Sequence, residues 1–161
     1  MTASRRQSLP IGIQTFRKLR EDGCYYVDKT PLALRLIQEG THYFLSRPRR
    51  FGKSLFLDTL AELFEGHREL FDGLAAASQW DWSRRFPVIR LSFAEGLLKT
   101  GAELDIKIGE LLEDNATRLG LDLRQGSISG RFRALITAAE ARYGERAVVL
   151  VDEYDKPILD N

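Results

Sequence analysis

A chain of 161 residues, 43% apolar and 29% charged, is long enough to bury a core as one domain and too apolar for a disordered segment. Its formal net charge of +1 gives no overall electrostatic case for a nucleic-acid or membrane partner, and its single cysteine, Cys24, excludes an intrachain disulfide framework or a cysteine-rich metal site and fits a reducing compartment. No run approaches the roughly 18 apolar residues of a membrane helix, and Met1-Thr2-Ala3-Ser4-Arg5-Arg6 has no apolar stretch behind it long enough for a secretory signal, so the cytoplasm is the default location.

Leu9 to Gly23 is a mixed segment in which Phe16 and Leu19 mark a short helix, and Tyr25-Tyr26-Val27 follows as a strand or extended piece. Thr30-Pro31 predicts a helix start, with the threonine hydroxyl at the cap and proline at the first helical position. Leu32, Leu36 and Ile37 supply that helix's apolar face, and Gly40 ends it. His42-Tyr43-Phe44-Leu45 predicts a strand. Beyond a basic stretch, Phe56, Leu60, Leu63 and Phe64 recur at the spacing of one helix face that ends near Gly66. Glu69 to Trp82 is irregular, with a turn at Asp72-Gly73.

Pro87 to Phe93 predicts another strand. A long helix from about Ala102 to Leu119 buries Leu104, Ile108, Leu111, Leu112, Ala116 and Leu119 and turns Glu103 and Lys107 outward as a pair. A further helix from about Gly130 to Tyr143, with Ser129 as candidate cap, turns Phe132, Leu135, Ile136 and Ala139 inward. Ala147-Val148-Val149-Leu150-Val151 has the apolar continuity of a strand buried on both faces, as in a parallel sheet covered by helices. Strands alternating with helices predict an α/β fold, a three-layer α/β/α sandwich on a mostly parallel sheet. No internal repeat, low-complexity tract or linker breaks the pattern.

The chemistry concentrates in Ser46-Arg47-Pro48-Arg49-Arg50-Phe51-Gly52-Lys53-Ser54, placed between an apolar strand-like segment and an amphipathic helix. A phosphate-binding loop requires that context, because the amides that open a helix can surround a polyphosphate. A turn ending in Gly-Lys-Ser sends an ammonium to the terminal phosphates and offers a hydroxyl to Mg²⁺. Arg47 stands where the general pattern has its first glycine. The tripeptide alone arises by chance in roughly one chain in ten of this length, so it needs support. The support is Asp152-Glu153 at the end of the valine-rich strand, since ligands of open α/β sheets gather at the carboxyl ends of strands. There Asp152 is suited to hold Mg²⁺ through its water shell, and Glu153 to orient and deprotonate an attacking water. A solvated acidic turn is the plain alternative.

Other residues admit two readings. Arg47, Arg49 and Arg50 can contact phosphate oxygens or a nucleic-acid backbone, or they face water and nearby acids. Trp80 and Trp82 can form a stacking platform for bases, although such a pair more often anchors a connecting segment to the core. His42 and His67 have no sequence spacing for zinc or for a catalytic triad. Asp28-Lys29-Thr30 lies just before the loop segment and has either a role near the nucleotide or that of a helix cap beside a solvated charge.

Leu9-Pro10-Ile11-Gly12, Tyr25-Tyr26-Val27-Asp28-Lys29-Thr30, the run from Phe44 to Ser54, and Val151-Asp152-Glu153-Tyr154-Asp155-Lys156-Pro157-Ile158 together resemble the AAA-ATPase-like family of bacterial proteins. The resemblance covers essentially the whole chain, and the family itself writes Arg-Pro-Arg-Arg-Phe before Gly-Lys-Ser. It implies a P-loop NTPase sandwich that uses ATP and Mg²⁺. The binding set it implies is Arg49, Arg50, Phe51, Gly52, Lys53, Ser54 and Leu55, with Ser54 and Asp152 at the metal and Lys53 and Glu153 as the catalytic groups. The guanine-specifying Asn/Thr-Lys-x-Asp pattern is absent, which favours ATP over GTP. Members usually carry a C-terminal region resembling the PD-(D/E)xK nucleases, so nucleic acid is an implied partner of such a region.

Related nucleotide hydrolases continue beyond the acid-bearing strand with another strand and a later arginine. On that comparison residues 1–161 are expected to form one domain, the N-terminal portion of a longer protein, with a sheet incomplete at its C-terminal side. Two functions follow as expectations: an ATP-hydrolysing domain of a larger machine, or a non-catalytic nucleotide-binding or interaction module that needs a partner segment or an oligomer to complete the sheet.

Overall fold

The computed structural model describes residues 8–13, 15–48, 50–94, 100–124 and 126–155, which fall into two compact units, Met1–Ser83 and Arg84–Asn161.

The first unit is helical. Helix α1 (Phe16–Glu21) begins where the Phe16 amide donates to Asp58 Oδ2 at 2.6 Å, so a side chain from a distant helix satisfies one of its opening N–H groups. Helix α2 (Thr30–Glu39) starts one residue earlier than a threonine cap would allow. Lys29 occupies the cap position, and the Asp28 carboxylate accepts from both the Thr30 amide and hydroxyl, at 2.8 and 2.7 Å. Helix α3 (Lys53–Glu65) follows the basic loop and ends at Gly66, as its periodicity predicts. The segment expected to be irregular holds a 3₁₀ turn (Arg68–Phe71), the Asp72-Gly73 turn and a short helix α4 (Ala76–Gln79).

Phe16, Ala33, Leu34, Phe56, Leu63, Leu70, Phe71 and Ala76 form this unit's core. The rings of Tyr26 and Phe71 pack against Phe16 at centroid distances of 5.0 and 4.9 Å. Trp80 lies edge-on to Phe64 at 5.5 Å, Trp82 packs on Phe71 at 5.2 Å, and the Trp82 indole donates to the Ala77 carbonyl. The tryptophans are therefore anchors of the connecting segment. The strand expected at His42-Tyr43-Phe44-Leu45 does not form among the described residues. A strand exists only through a ladder to a neighbour, and the described residues of this unit contain none; Tyr43, Phe44 and Leu45 remain 53%, 70% and 43% exposed.

The second unit is β1 (Val88–Ser92), α5 (Gly101–Leu119), α6 (Ile128–Tyr143) and β2 (Val148–Asp152). The strands are parallel and in register from Val88 opposite Val148 to Ser92 opposite Asp152. Thr100 caps α5 by accepting from the Glu103 amide, and Ser127, two residues before the expected Ser129, caps α6 by accepting from Gly130. Ile89, Leu112, Ala116, Leu119, Leu135 and Ala139 make the core. The described sheet thus has two strands, an α/β unit smaller than the expected three-layer sandwich.

Its two edges differ. Val148 donates to Pro87 and Phe93 to Asp152, which puts the odd-numbered β1 residues on the β2 side and leaves the N–H and C=O of Val88 and Arg90 facing outward. Helix α5 closes that outer edge. Asn115, 3% exposed, accepts from the Arg90 amide and donates to the Arg90 carbonyl, both at 2.8 Å, as a neighbouring strand would. Arg118 donates to the Val88 carbonyl and to Asn115 Oδ1, which fixes the amide orientation. Asn115→Ala strands a buried donor and acceptor of β1, so we expect a loss of about 2–4 kcal/mol in urea unfolding. A loss under about 0.5 kcal/mol would mean that water replaces the amide.

On β2 the groups of Val149 and Val151 face away from β1, and their side chains are 38% and 40% exposed. Burial on both faces, expected for this strand, is thus not reached. Helix α5 packs on β1, the core cluster draws on β1 and not on β2, and no described strand borders the far edge of β2.

Candidate functional site

The loop turns on two left-handed residues, Arg50 at φ 66° and Gly52 at φ 76°. For arginine that conformation costs on the order of 1 kcal/mol, whereas glycine adopts it freely and is needed there. Phe51 between them is 63% exposed. Gly52 is also the cap of α3, whose first backbone bond from this end runs from the Phe56 amide to the Gly52 carbonyl. The amides of Lys53, Ser54 and Leu55 precede that ladder and are the groups a helix opening offers to an anion. The Leu55 side chain packs on the core, so only its backbone is suited to a ligand. Lys53 folds back across the loop, donating from Nζ to the carbonyls of Arg47 at 2.9 Å and Pro48 at 3.2 Å. Arg47 and Arg50 are exposed; Arg49 lies outside the described residues.

The acids are in the other unit. Asp152 is the last residue of β2, half-buried beside Ser92 at the carboxyl ends of both strands. Its Oδ1 accepts from the Glu153 amide at 3.0 Å, and Glu153 turns the chain with φ 51° and is exposed. The described loop residues thus lie in the first unit and the two acids in the second. Ser92, a hydroxyl next to Asp152, carries no sequence motif and shows itself only through strand register.

Asp28-Lys29-Thr30 has a structural explanation for its outer members. Asp28 Oδ2 accepts from the Ala75 amide at 2.8 Å and Thr30 Oγ1 from the Ala76 amide at 3.1 Å, so the start of α2 is tied to the start of α4. Desolvation raises the Asp28 pKa, but the Ala75 amide and the Thr30 hydroxyl and amide more than offset it and leave the carboxyl below its ordinary value. Its stabilisation is therefore complete above the ordinary carboxylate pKa and is lost as pH falls through the depressed one. Asp28→Asn should melt below the wild type at neutral pH, with the gap closing in acid; a pH-independent gap would refute the carboxylate's role.

Helix α3 carries a second cluster at its far end that sequence spacing did not reveal. Glu62, Glu65 and His67 bring their ligand atoms within 4.8 Å of one another. The buried Glu62 carboxylate is held at one oxygen by both Arg17 at 2.9 Å and His67 Nδ1 at 2.6 Å. Burial lowers the Arg17 pKa, but its bond and charge with Glu62, aided by Glu21 and Glu69, raise it overall. The guanidinium on the shared oxygen makes the cluster a brace between α1 and α3. No helix among the described residues is long and apolar enough to cross a membrane.

No solved structure matches the chain. The uncharacterized protein of the vnfD 5′ region of Azotobacter chroococcum mcd 1 is 62% identical over 157 residues, covering 97% of this chain but 30% of that protein. The chain thus spans about a third of the length of the curated relative it matches. The family described as "Predicted AAA-ATPase" matches residues 10–161, and the chain belongs to that family.

Proposed function

We propose that the chain is the ATP-binding portion of a Mg²⁺-dependent ATPase. The observation that carries this reading is Gly52-Lys53-Ser54 set on a left-handed turn at the opening of α3, in a member of this family. The residues suit the ligand: the Lys53–Leu55 amides and the Lys53 ammonium match phosphate oxygens, and the Ser54 hydroxyl and Asp152 carboxylate are hard oxygen donors of the kind Mg²⁺ takes. When bound, Mg²⁺ supplies positive charge against the transferred phosphoryl group. Lys53 would exchange its two carbonyl partners for phosphate oxygens, and Glu153 would orient and deprotonate water. The proposal requires the loop and the two acids to share one ligand.

Titration of the chain with ATP, with and without Mg²⁺, tests the reading, with Lys53→Ala as the control. Absence of saturable binding would end it. The far edge of β2, which no strand among the described residues borders, favours a second reading, a module that binds nucleotide but hydrolyses it only when further strands or a partner chain complete the sheet. On that reading residues 1–161 bind ATP without turnover while longer forms of the protein turn it over. In such forms, a nuclease-like region would direct the cycle to nucleic acid.

A further inference from the structure

We propose that Lys29 is a second phosphate-binding ammonium of the loop, acting beside Lys53 on the polyphosphate of the nucleotide; this rests on the ATP-binding reading above. Three observations place it there. First, a Cβ built on Gly52 would lie 3.9 Å from Lys29 Nζ, so the ammonium stands against the residue where the loop becomes α3. Second, its backbone is fixed from both sides. Asp28 and Thr30 are bonded to Ala75 and Ala76, and the Lys29 carbonyl accepts from Leu32 and Ala33 as α2 begins. The side chain therefore starts from a held position rather than from a mobile loop.

Third, the acid next to Lys29 in sequence is engaged elsewhere, since the Asp28 carboxylate accepts from the Thr30 amide and hydroxyl and from the Ala75 amide. Neither α2 nor α3 has an acid in its first turn. Among the described residues no hydrogen bond or ion pair engages the Lys29 ammonium. Lys29, Arg50 and Lys53 thus gather positive charge where helix α3 also presents its positive end. A ligand with several negative charges relieves this repulsion far better than one with a single charge. That points to the polyphosphate rather than to the nucleoside, and it gives the middle of Asp28-Lys29-Thr30 a function distinct from its structural neighbours.

The test compares ATP, ADP and AMP binding to wild type, Lys29→Ala, Lys29→Arg and Lys53→Ala over a range of NaCl concentrations, with melting temperatures alongside. Lys29→Ala should weaken ATP binding roughly ten- to hundredfold, weaken AMP binding far less, flatten the salt dependence and leave the melting temperature unchanged. Lys29→Arg should recover most of the loss. If Lys29→Ala binds ATP like wild type while Lys53→Ala does not, the inference falls and the ATP-binding reading stands. If Lys53→Ala also binds normally, both fall. A lowered melting temperature, or equal losses for ATP and AMP, would show that Lys29 serves the fold and overturn the inference.

Discussion

Lys53→Ala is expected to weaken ATP binding by at least about a hundredfold, because it removes a charge-assisted contact to the phosphates from the first residue of α3. The effect on the fold should be small. Among the described residues Lys53 Nζ bonds to the carbonyls of Arg47 and Pro48, two exposed residues whose carbonyls water can take over. Loss of affinity at unchanged stability is therefore the signature, read by calorimetric titration beside thermal melting. Lys53→Arg retains the charge but not the compact ammonium, and should recover only part of the binding. Affinity unchanged in Lys53→Ala would remove the loop assignment and with it the whole nucleotide reading.

What could be read from the sequence was whatever rests on short-range pattern. The face of α3, the long helices α5 and α6, and the strands β1 and β2 follow from spacing and apolar continuity, whereas the left-handed conformation of Gly52 comes from the structure. What rests on distant pairing was not legible. His42 to Leu45 has the composition of a strand, but a strand needs a ladder, and none borders it among the described residues. The Asp28 carboxylate reaches the Ala75 amide across a sequence separation of 47, so a motif that resembled a simple cap is a tertiary tie. Asn115 looks like an interior helix residue of modest propensity, and only the placement of α5 against β1 turns it into an edge closure. Ser127 and Ser129 are equally good caps by residue type, and the backbone geometry alone selects the first. Glu62 sits on a helix face where a solvated acid is ordinary, and its burial depends on Arg17 from another helix.

Glu153→Gln, made in the shortest form of the protein that hydrolyses ATP, is expected to keep nucleotide affinity and to lower kcat by roughly a hundredfold or more, the usual contribution of a positioned general base. The substitution preserves shape and removes the proton acceptor, so a loss confined to kcat separates a chemical role from a binding one. Asp152→Asn addresses the metal instead. If its carboxylate shares a ligand with the loop, the tightening of ATP binding that Mg²⁺ gives the wild type should largely disappear, while affinity without Mg²⁺ should hold or rise slightly as a negative charge leaves the phosphates. The pair also tests assembly, since the acids end β2 in the second unit and Lys53 opens α3 in the first. An Mg²⁺ increment unchanged in Asp152→Asn, together with full turnover in Glu153→Gln, would mean that the two halves serve different ligands, and the ATPase reading would then reduce to nucleotide binding by the loop alone.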